Sequence, residues 1–316
     1  MVYSIRRLEI PISIRALRTA SIYLLDNGKR RILIDTGMDK NIVDFLRTNQ
    51  IDPNQIDLVL LSHMHIDHIG GAQELQNQFG IKAYIGRNDL ERIESLQESP
   101  KKYISWQLDY LKENGVPDKF LQNIGENHPI FKELKNYLSL DLNSLEKIDN
   151  KLENIEFLPV PGHSSGSTCF LIKDQNAIFT GDHVLERITP NISYYDESED
   201  MLGEYISSLK NTIFDQPLEA HPGHGHQFGD LNKRIDGILN HHEERIGEIL
   251  KIVEKKWVCA YDVARQMKWS KGRTMDSMNM MESNFAIGEA ISHLRHMSFK
   301  GMVSKKEING VHYYSD

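Results

Sequence analysis

The chain has 316 residues, 40% of them hydrophobic, and sets 37 Lys and Arg against 45 Asp and Glu for a net charge of -8. This length exceeds what one core usually holds, so two domains are expected, and the acidic balance argues against a protein whose main partner is a polyanion. No apolar run reaches the ~18 residues of a membrane span; Arg6, Arg7, Arg15 and Arg18 interrupt any signal-peptide core, and Cys169 and Cys259 make no disulfide framework, so a cytoplasmic protein with no membrane partner is expected.

In chain order, residues 3–35 read as strands, with Asp26-Asn27-Gly28 turning a hairpin, and residues 42–49 as a short helix. The apolar run Leu58-Val59-Leu60-Leu61 reads as a buried strand, followed at once by His63, His65, Asp67 and His68. Strand side chains alternate with period two, so His63 and His65 leave the strand end on one side and can grip one ion through imidazole nitrogen. Asp67 and His68 come where Gly70-Gly71 lets the backbone curl into a helix, and face a second ion. Residues 72–79 continue as a helix and 82–85 as a strand. From about 89 to 148 helices are expected, because Ile104, Leu108 and Leu111, then Phe131, Leu134, Tyr137 and Leu138, recur at helical spacing.

Three later segments repeat the pattern of a ligand-type side chain beside glycine at the end of an apolar stretch. They are Gly162-His163-Ser164, Gly181-Asp182-His183, and Pro222-Gly223-His224 with His221 and His226 around it. A rigid scaffold presents ligands in this way, on loops at one edge of a sheet. Ser164, Ser165 and Ser167 are expected to hydrogen-bond their own turn rather than act as nucleophiles. From 240 onward the balance shifts to 12 Lys and Arg against 10 Asp and Glu. Ile246, Ile249, Leu250 and Val253 mark one helix, residues 260–267 a second and 286–297 a third, before a hairpin about Asn309-Gly310.

The ordered series His-x-His-x-Asp-His, Gly-His-Ser, Gly-Asp and Pro-Gly-His resembles the metallo-β-lactamase superfamily over roughly residues 1–230, and within it the hydroxyacylglutathione hydrolase branch. The resemblance implies an α/β (α+β) fold: an αββα sandwich of two mixed sheets over 1–235, in which the helices of about 89–148 are a helical insertion, with a two-metal site at one edge. It implies that His63, His65 and His163 hold the first ion, that Asp67, His68 and His224 hold the second, and that Asp182 bridges them. Three helices and a hairpin over 240–316 similarly resemble a winged-helix domain.

Imidazole and carboxylate ligands without thiolate suit two divalent ions, Zn2+ first, with Mn2+ or Fe2+ as alternatives. Such a pair lowers the pKa of a shared water from 15.7 toward about 7 and makes a hydroxide nucleophile. The expected reaction is hydrolysis of a small ester or thioester, with Asp67 and Asp182 as catalytic carboxylates and Asp67 as a proton acceptor. Asp35, His183, Arg187, Asn191, Tyr194 and His226 are candidates for the layer behind the ligands or for the substrate rim. The alternatives are a metal-dependent endoribonuclease or phosphodiesterase, a mononuclear iron persulfide dioxygenase, and a metal-sensing DNA-binding protein. Arg295, Lys300, Lys305 and Lys306, diluted by Glu289 and Glu307, make only a thin basic patch, so a small-molecule substrate is favoured over nucleic acid, with a homodimer left open. His293 and His296 are expected at a surface or domain boundary.

Overall fold

The structure is a computed structural model that describes residues 2–13, 17–38, 41–127, 129–148, 152, 154–194 and 198–316. It divides into two compact units. Unit 1 comprises Met1–Glu98, Lys135–Pro190 and Ser208–Asp236; unit 2 comprises Ser99–Leu134, Asn191–Ser207 and Gly237–Asp316. No helix among the described residues is long and apolar enough to cross a membrane.

Unit 1 contains two mixed sheets. The first runs β1 (Ser4–Pro11), β2 (Thr19–Asp26), β3 (Arg31–Ile34), β4 (Leu58–Leu60), β5 (Lys82–Ile85) and β6 (Asn143–Ser144), side by side in chain order. Its first three strands pair antiparallel and the rest parallel. The second takes β7 (Glu156–Pro159), β8 (Thr168–Ile172), β9 (Ala177–Gly181) and β10 (Glu219–Pro222) in the order β10-β9-β8-β7, parallel only between β9 and β10. Tyr23, Leu25, Ile32, Ile34 and Leu60 of the first sheet share one core with Phe170, Ile172 and Phe179 of the second. Each such side chain contributes about 1.5–3 kcal/mol on burial. The expected αββα class is therefore what forms, and the near-continuous burial of β2, β8 and β9 is that of strands covered on both faces.

Four short helices belong to unit 1: α1 (Ile42–Thr48), α2 (Ile66–Ile69), α3 (Ala72–Phe79) and α4 (Arg87–Glu98). Further along come α5 (Pro100–Glu113), α6 (Asp118–Asn127), α7 (Pro129–Leu138), α8 (Met201–Asn211), α9 (Leu231–Val253), α10 (Ala260–Gln266) and α11 (Met280–Phe299). The helical periodicity read across 89–148 appears as α4 to α7, but its middle section, 99–134, is a piece of unit 2. There Tyr110, Leu111 and Val116 share a core with Ile249, Val253, Val263, Ile287, Ile291 and Leu294. Spacing reveals that a helix has an apolar face, not which partner covers it.

Unit 2 also holds a three-stranded sheet, β11 (Val258–Cys259), β12 (Ser304–Ile308) and β13 (Val311–Ser315), in the order β11-β13-β12. Asn309 and Gly310 turn the β12–β13 hairpin with φ of 52° and 78°, the left-handed conformations that an Asn-Gly pair tolerates. Helix α11 starts six residues before its apolar periodicity at 286, because Asn279 and Glu282 form a reciprocal capping box.

The basic patch needs correcting. Arg295 is only 8% exposed; its Nη1 donates to the Tyr110 hydroxyl at 2.6 Å and its Nη2 to the Glu199 carbonyl at 3.1 Å. His293 and His296 are buried as well, bonded to the Glu289 carbonyl and the Asp200 carboxylate. The sequence reading put Arg295 in a basic patch and His293 and His296 at a surface or domain boundary, but α11 is buried along most of its length.

Candidate metal centre

The chain leaves β4, β7, β9 and β10 at their C-terminal ends, and the segments that follow carry His63, His65, Asp67, His68, His163, Asp182 and His224. They meet in unit 1. Ligand atoms of His63, His65 and His163 lie within 4.8 Å of one another, as do those of His63, His68 and Asp182, and those of Asp67, His68 and His224. His224 Nε2 is 3.3 Å from Asp67 Oδ2 and 3.5 Å from Asp182 Oδ2; His163 Nε2 is 3.7 Å from Asp182 Oδ2, and His68 Nε2 is 3.5 Å from Asp182 Oδ1. All but His65 are buried.

The backbone explains the convergence. His65 sits immediately before α2, which turns Asp67 and His68 back toward the strand ends. The loop after β10 is stitched to β2: the Ser21 amide donates to the Gly223 carbonyl at 2.7 Å, and the Tyr23 hydroxyl donates to the Pro222 carbonyl at 2.7 Å. Gly223 must be glycine, since a Cβ there would stand 2.5 Å from Asp182 Oδ1 and 2.6 Å from His68 Cε1.

Tautomers follow from the hydrogen bonds. Asp35 accepts from the Ser62 amide and hydroxyl at 2.8 Å each, and from His68 Nδ1 at 2.8 Å. With its proton given to Asp35, Ser62 Oγ accepts from His63 Nδ1 at 3.0 Å. His224 Nδ1 donates to the Thr19 carbonyl at 2.8 Å. Three imidazoles thus carry a proton on Nδ1 and turn Nε2 into the cluster. Asp35 does this from a left-handed backbone, φ 59°, which an aspartate adopts only where the surroundings hold it.

Such an arrangement fits cations. His68 Nε2 and His224 Nε2 face each other at 3.3 Å, so two neutral rings would oppose lone pairs, and Asp182 Oδ1 is buried without a hydrogen bond. A positive charge between these groups relieves both. The proton equilibria say the same. Burial works to lower the pKa of His68, but Asp182, Asp35 and Asp67 raise it to about 10. Against its burial, Asp67 is held well below the usual carboxylate range by His68 and His224. His65 is pushed down to about 3 by burial and by His163, and His63 is lowered by burial and by the surrounding imidazoles, so both stay neutral and ready to donate a lone pair.

The remaining candidates have other partners. His183 Nε2 donates to the Thr212 hydroxyl at 3.0 Å, and burial lowers its pKa to about 3. His226 and Arg187 are exposed and both approach Glu186. Asn191 and Tyr194 lie in unit 2, where Asn191 donates to the Phe285 carbonyl and Tyr194 is a core residue with its ring 4.5 Å from that of Tyr110. Of the serines after His163, Ser167 holds the turn, its Oγ accepting from the Ser164 amide at 3.1 Å, whereas the hydroxyls of Ser164 and Ser165 meet Asp89 and Arg92.

One residue escaped sequence reasoning. Asp89 is fully buried and accepts from the Met64 amide, the Gly166 amide and the Ser164 hydroxyl at 2.8, 2.7 and 2.6 Å. Aspartate in the first turn of a helix is ordinary, so only its place straight after a ligand-bearing sheet could have drawn notice.

The family model of the Metallo-beta-lactamase superfamily matches residues 15–234. The chain is similar to Lactamase-like protein adaB from Aspergillus niger, 26% identical over 241 residues, 76% of this chain and 60% of that protein. It is similar to the Atrochrysone carboxyl ACP thioesterase dmxR1 of a Cryptosporiopsis species, 26% identical over 76% of this chain and 59% of that protein. It thus spans about 60% of the length of the curated relatives it matches. A metallo-beta-lactamase family protein from Thermus thermophilus shares the fold, with a TM-score of 0.80 over 98% of both chains at 19% identity. With the family pattern matched over more than two thirds of its length and the fold matched throughout, the chain belongs to the metallo-β-lactamase superfamily.

Proposed function

We propose that this chain is a metal-dependent hydrolase of small esters or thioesters. His63, His65 and His163 would hold one divalent ion, Asp67, His68 and His224 a second, and Asp182 would bridge them. The observation that carries the reading is the convergence of His68 Nε2 and His224 Nε2, 3.3 Å apart, with the carboxylates of Asp67 and Asp182. All seven groups are hard or borderline donors, and Zn2+ suits them best, with Mn2+ or Fe2+ also compatible. When bound, the ions supply an activated water and a Lewis acid for the carbonyl oxygen under attack.

The chain's own residues do the rest. Asp35, directly and through Ser62, keeps the protons of His68 and His63 on Nδ1; the Thr19 carbonyl does so for His224. Asp67 and Asp182, both ionised, are placed to accept the proton from the attacking water. The thioesterase name of one relative supports an acyl substrate over a phosphodiester. The helices α9 to α11 with the β12–β13 hairpin support reading 240–316 as a winged-helix-like module, and the inward-turned Arg295 weighs against phosphate as its ligand. The test combines elemental analysis of the purified protein with an ester and thioester panel. Two equivalents of metal and acyl hydrolysis abolished by His68→Ala are expected; a dimetal protein inert toward the whole panel would overturn the substrate assignment.

A further inference from the structure

We propose that Asp89 is a positioning residue that locks together the two loops carrying His63, His65 and His163, and so fixes the spacing of the first of the two ion sites. The inference rests on the metal-centre reading above.

Asp89 is the third residue of α4, yet its carboxylate turns away from its own helix. Its Oδ2 takes the amide of Met64, the residue between His63 and His65, and the hydroxyl of Ser164, the neighbour of His163; its Oδ1 takes the amide of Gly166. A single buried carboxylate therefore ties both sequence-distant segments of the His63, His65 and His163 triad. Its neighbours on α4 grip the same loop: Asn88 Nδ2 donates to the Ser165 carbonyl at 3.2 Å, and Arg92 Nε to Ser165 Oγ at 2.8 Å. Glycine makes the approach feasible, since a Cβ on Gly86 would lie 2.0 Å from the Gly166 carbonyl oxygen and one on Gly166 would lie 2.4 Å from the Asp89 amide. The Asp67, His68 and His224 set is anchored elsewhere, His68 on Asp35 and His224 on Thr19. Two carboxylates thus divide the work, one orienting ring protons and one fixing the spacing of the loops.

The test is Co2+ titration of the chelator-treated full chain, followed by visible absorbance and by elemental analysis after dialysis. Asp89→Asn keeps the shape but turns an amide NH2 toward donors; it should weaken one equivalent by about 10–100-fold, the usual range for groups that orient ligands, and leave the other near its wild-type affinity. Ser164→Ala removes one of the three bonds and should weaken the same equivalent to a smaller degree, which keeps the proposal testable if the first variant folds poorly. Equal weakening of both equivalents would mean that Asp89 merely supports the fold, and unchanged affinity for both would remove its role; either overturns the inference. His63→Ala and His68→Ala separate this from the reading beneath it: if wild type binds two ions and each of these loses one, the metal centre stands whatever Asp89 does. If wild type binds none, both fall.

Discussion

Replacing Gly223 by alanine adds a single methyl group to unit 1, between two residues of the candidate metal centre. The new Cβ would stand 2.5 Å from Asp182 Oδ1, 2.6 Å from His68 Cε1 and 3.2 Å from the Gly181 carbonyl carbon, where ordinary contact begins at 3.4 Å. Relief requires a displacement of nearly 1 Å in Asp182, in His68 or in the loop itself. His68 is pinned by Asp35 and the loop by Ser21 and Tyr23, so Asp182, whose Oδ1 has no hydrogen bond, is the group that gives way. Overpacking of this kind costs about 1–3 kcal/mol of stability, which a domain survives. Ligand geometry does not survive it, since sites tolerate errors of only about 0.5 Å and a 1 Å misplacement lowers rates about 100-fold. Gly223→Ala should therefore remain folded by circular dichroism while losing metal affinity and falling about 100-fold in acyl hydrolysis. Gly229→Ala, where a Cβ meets nothing within 4 Å, is the matched control and should behave as wild type. Full metal content and wild-type rates in Gly223→Ala would refute the reasoning, because the crowding would then have been absorbed without moving a ligand.

Two further outcomes follow from the same coordinates. Metal uptake should expel protons: His68, raised from 6.5 to about 10 by the neighbouring carboxylates despite its burial, holds a proton in the metal-free protein. That proton's contribution to stability is complete below pH 6.5 and is lost as pH rises through about 10, so metal affinity should climb over this window by about tenfold per pH unit for each proton displaced. Calorimetric titration in two buffers of different ionisation enthalpy reads this directly, and identical heats would refute it. Arg295→Met, which retains an unbranched chain but strands the Tyr110 hydroxyl and the Glu199 carbonyl, should destabilise unit 2 by about 3 kcal/mol, at about 1.5–3 kcal/mol for each hydrogen bond to a charged group. Denaturant unfolding should show a lower midpoint with metal content unchanged; an unaltered midpoint would place the guanidinium in solvent.

That the seven candidate ligands would gather at strand ends was legible because each sits within a few residues of an apolar strand and near a turn-forming glycine. Asp35 was visible for the same reason, though its left-handed backbone and its hold on both His68 and Ser62 are properties of the folded chain. Asp89 was not legible, because a buried aspartate and a solvated one at a helix start look alike in sequence. Tyr194 was read as a rim residue from its place after Asp182, whereas its ring packs on Tyr110, some eighty residues earlier. Arg295 failed likewise: the hydroxyl and carbonyl that take its hydrogen bonds come from segments 185 and 96 residues away. Periodicity identifies which face of a helix is apolar, but the identity of its cover is a non-local fact.

Unit 2 is assembled from three separate stretches of chain, and this has a bearing on synthesis. When α5 and α6 leave the ribosome, the residues that will cover Tyr110, Leu111 and Val116 are still about 150 codons away, a wait of roughly 8–30 s at ordinary elongation rates. Those helices must stay soluble or sheltered by a chaperone until residues 249–294 are made, and a chain stalled near codon 240 would have all of unit 1 translated and its greasy helices bare.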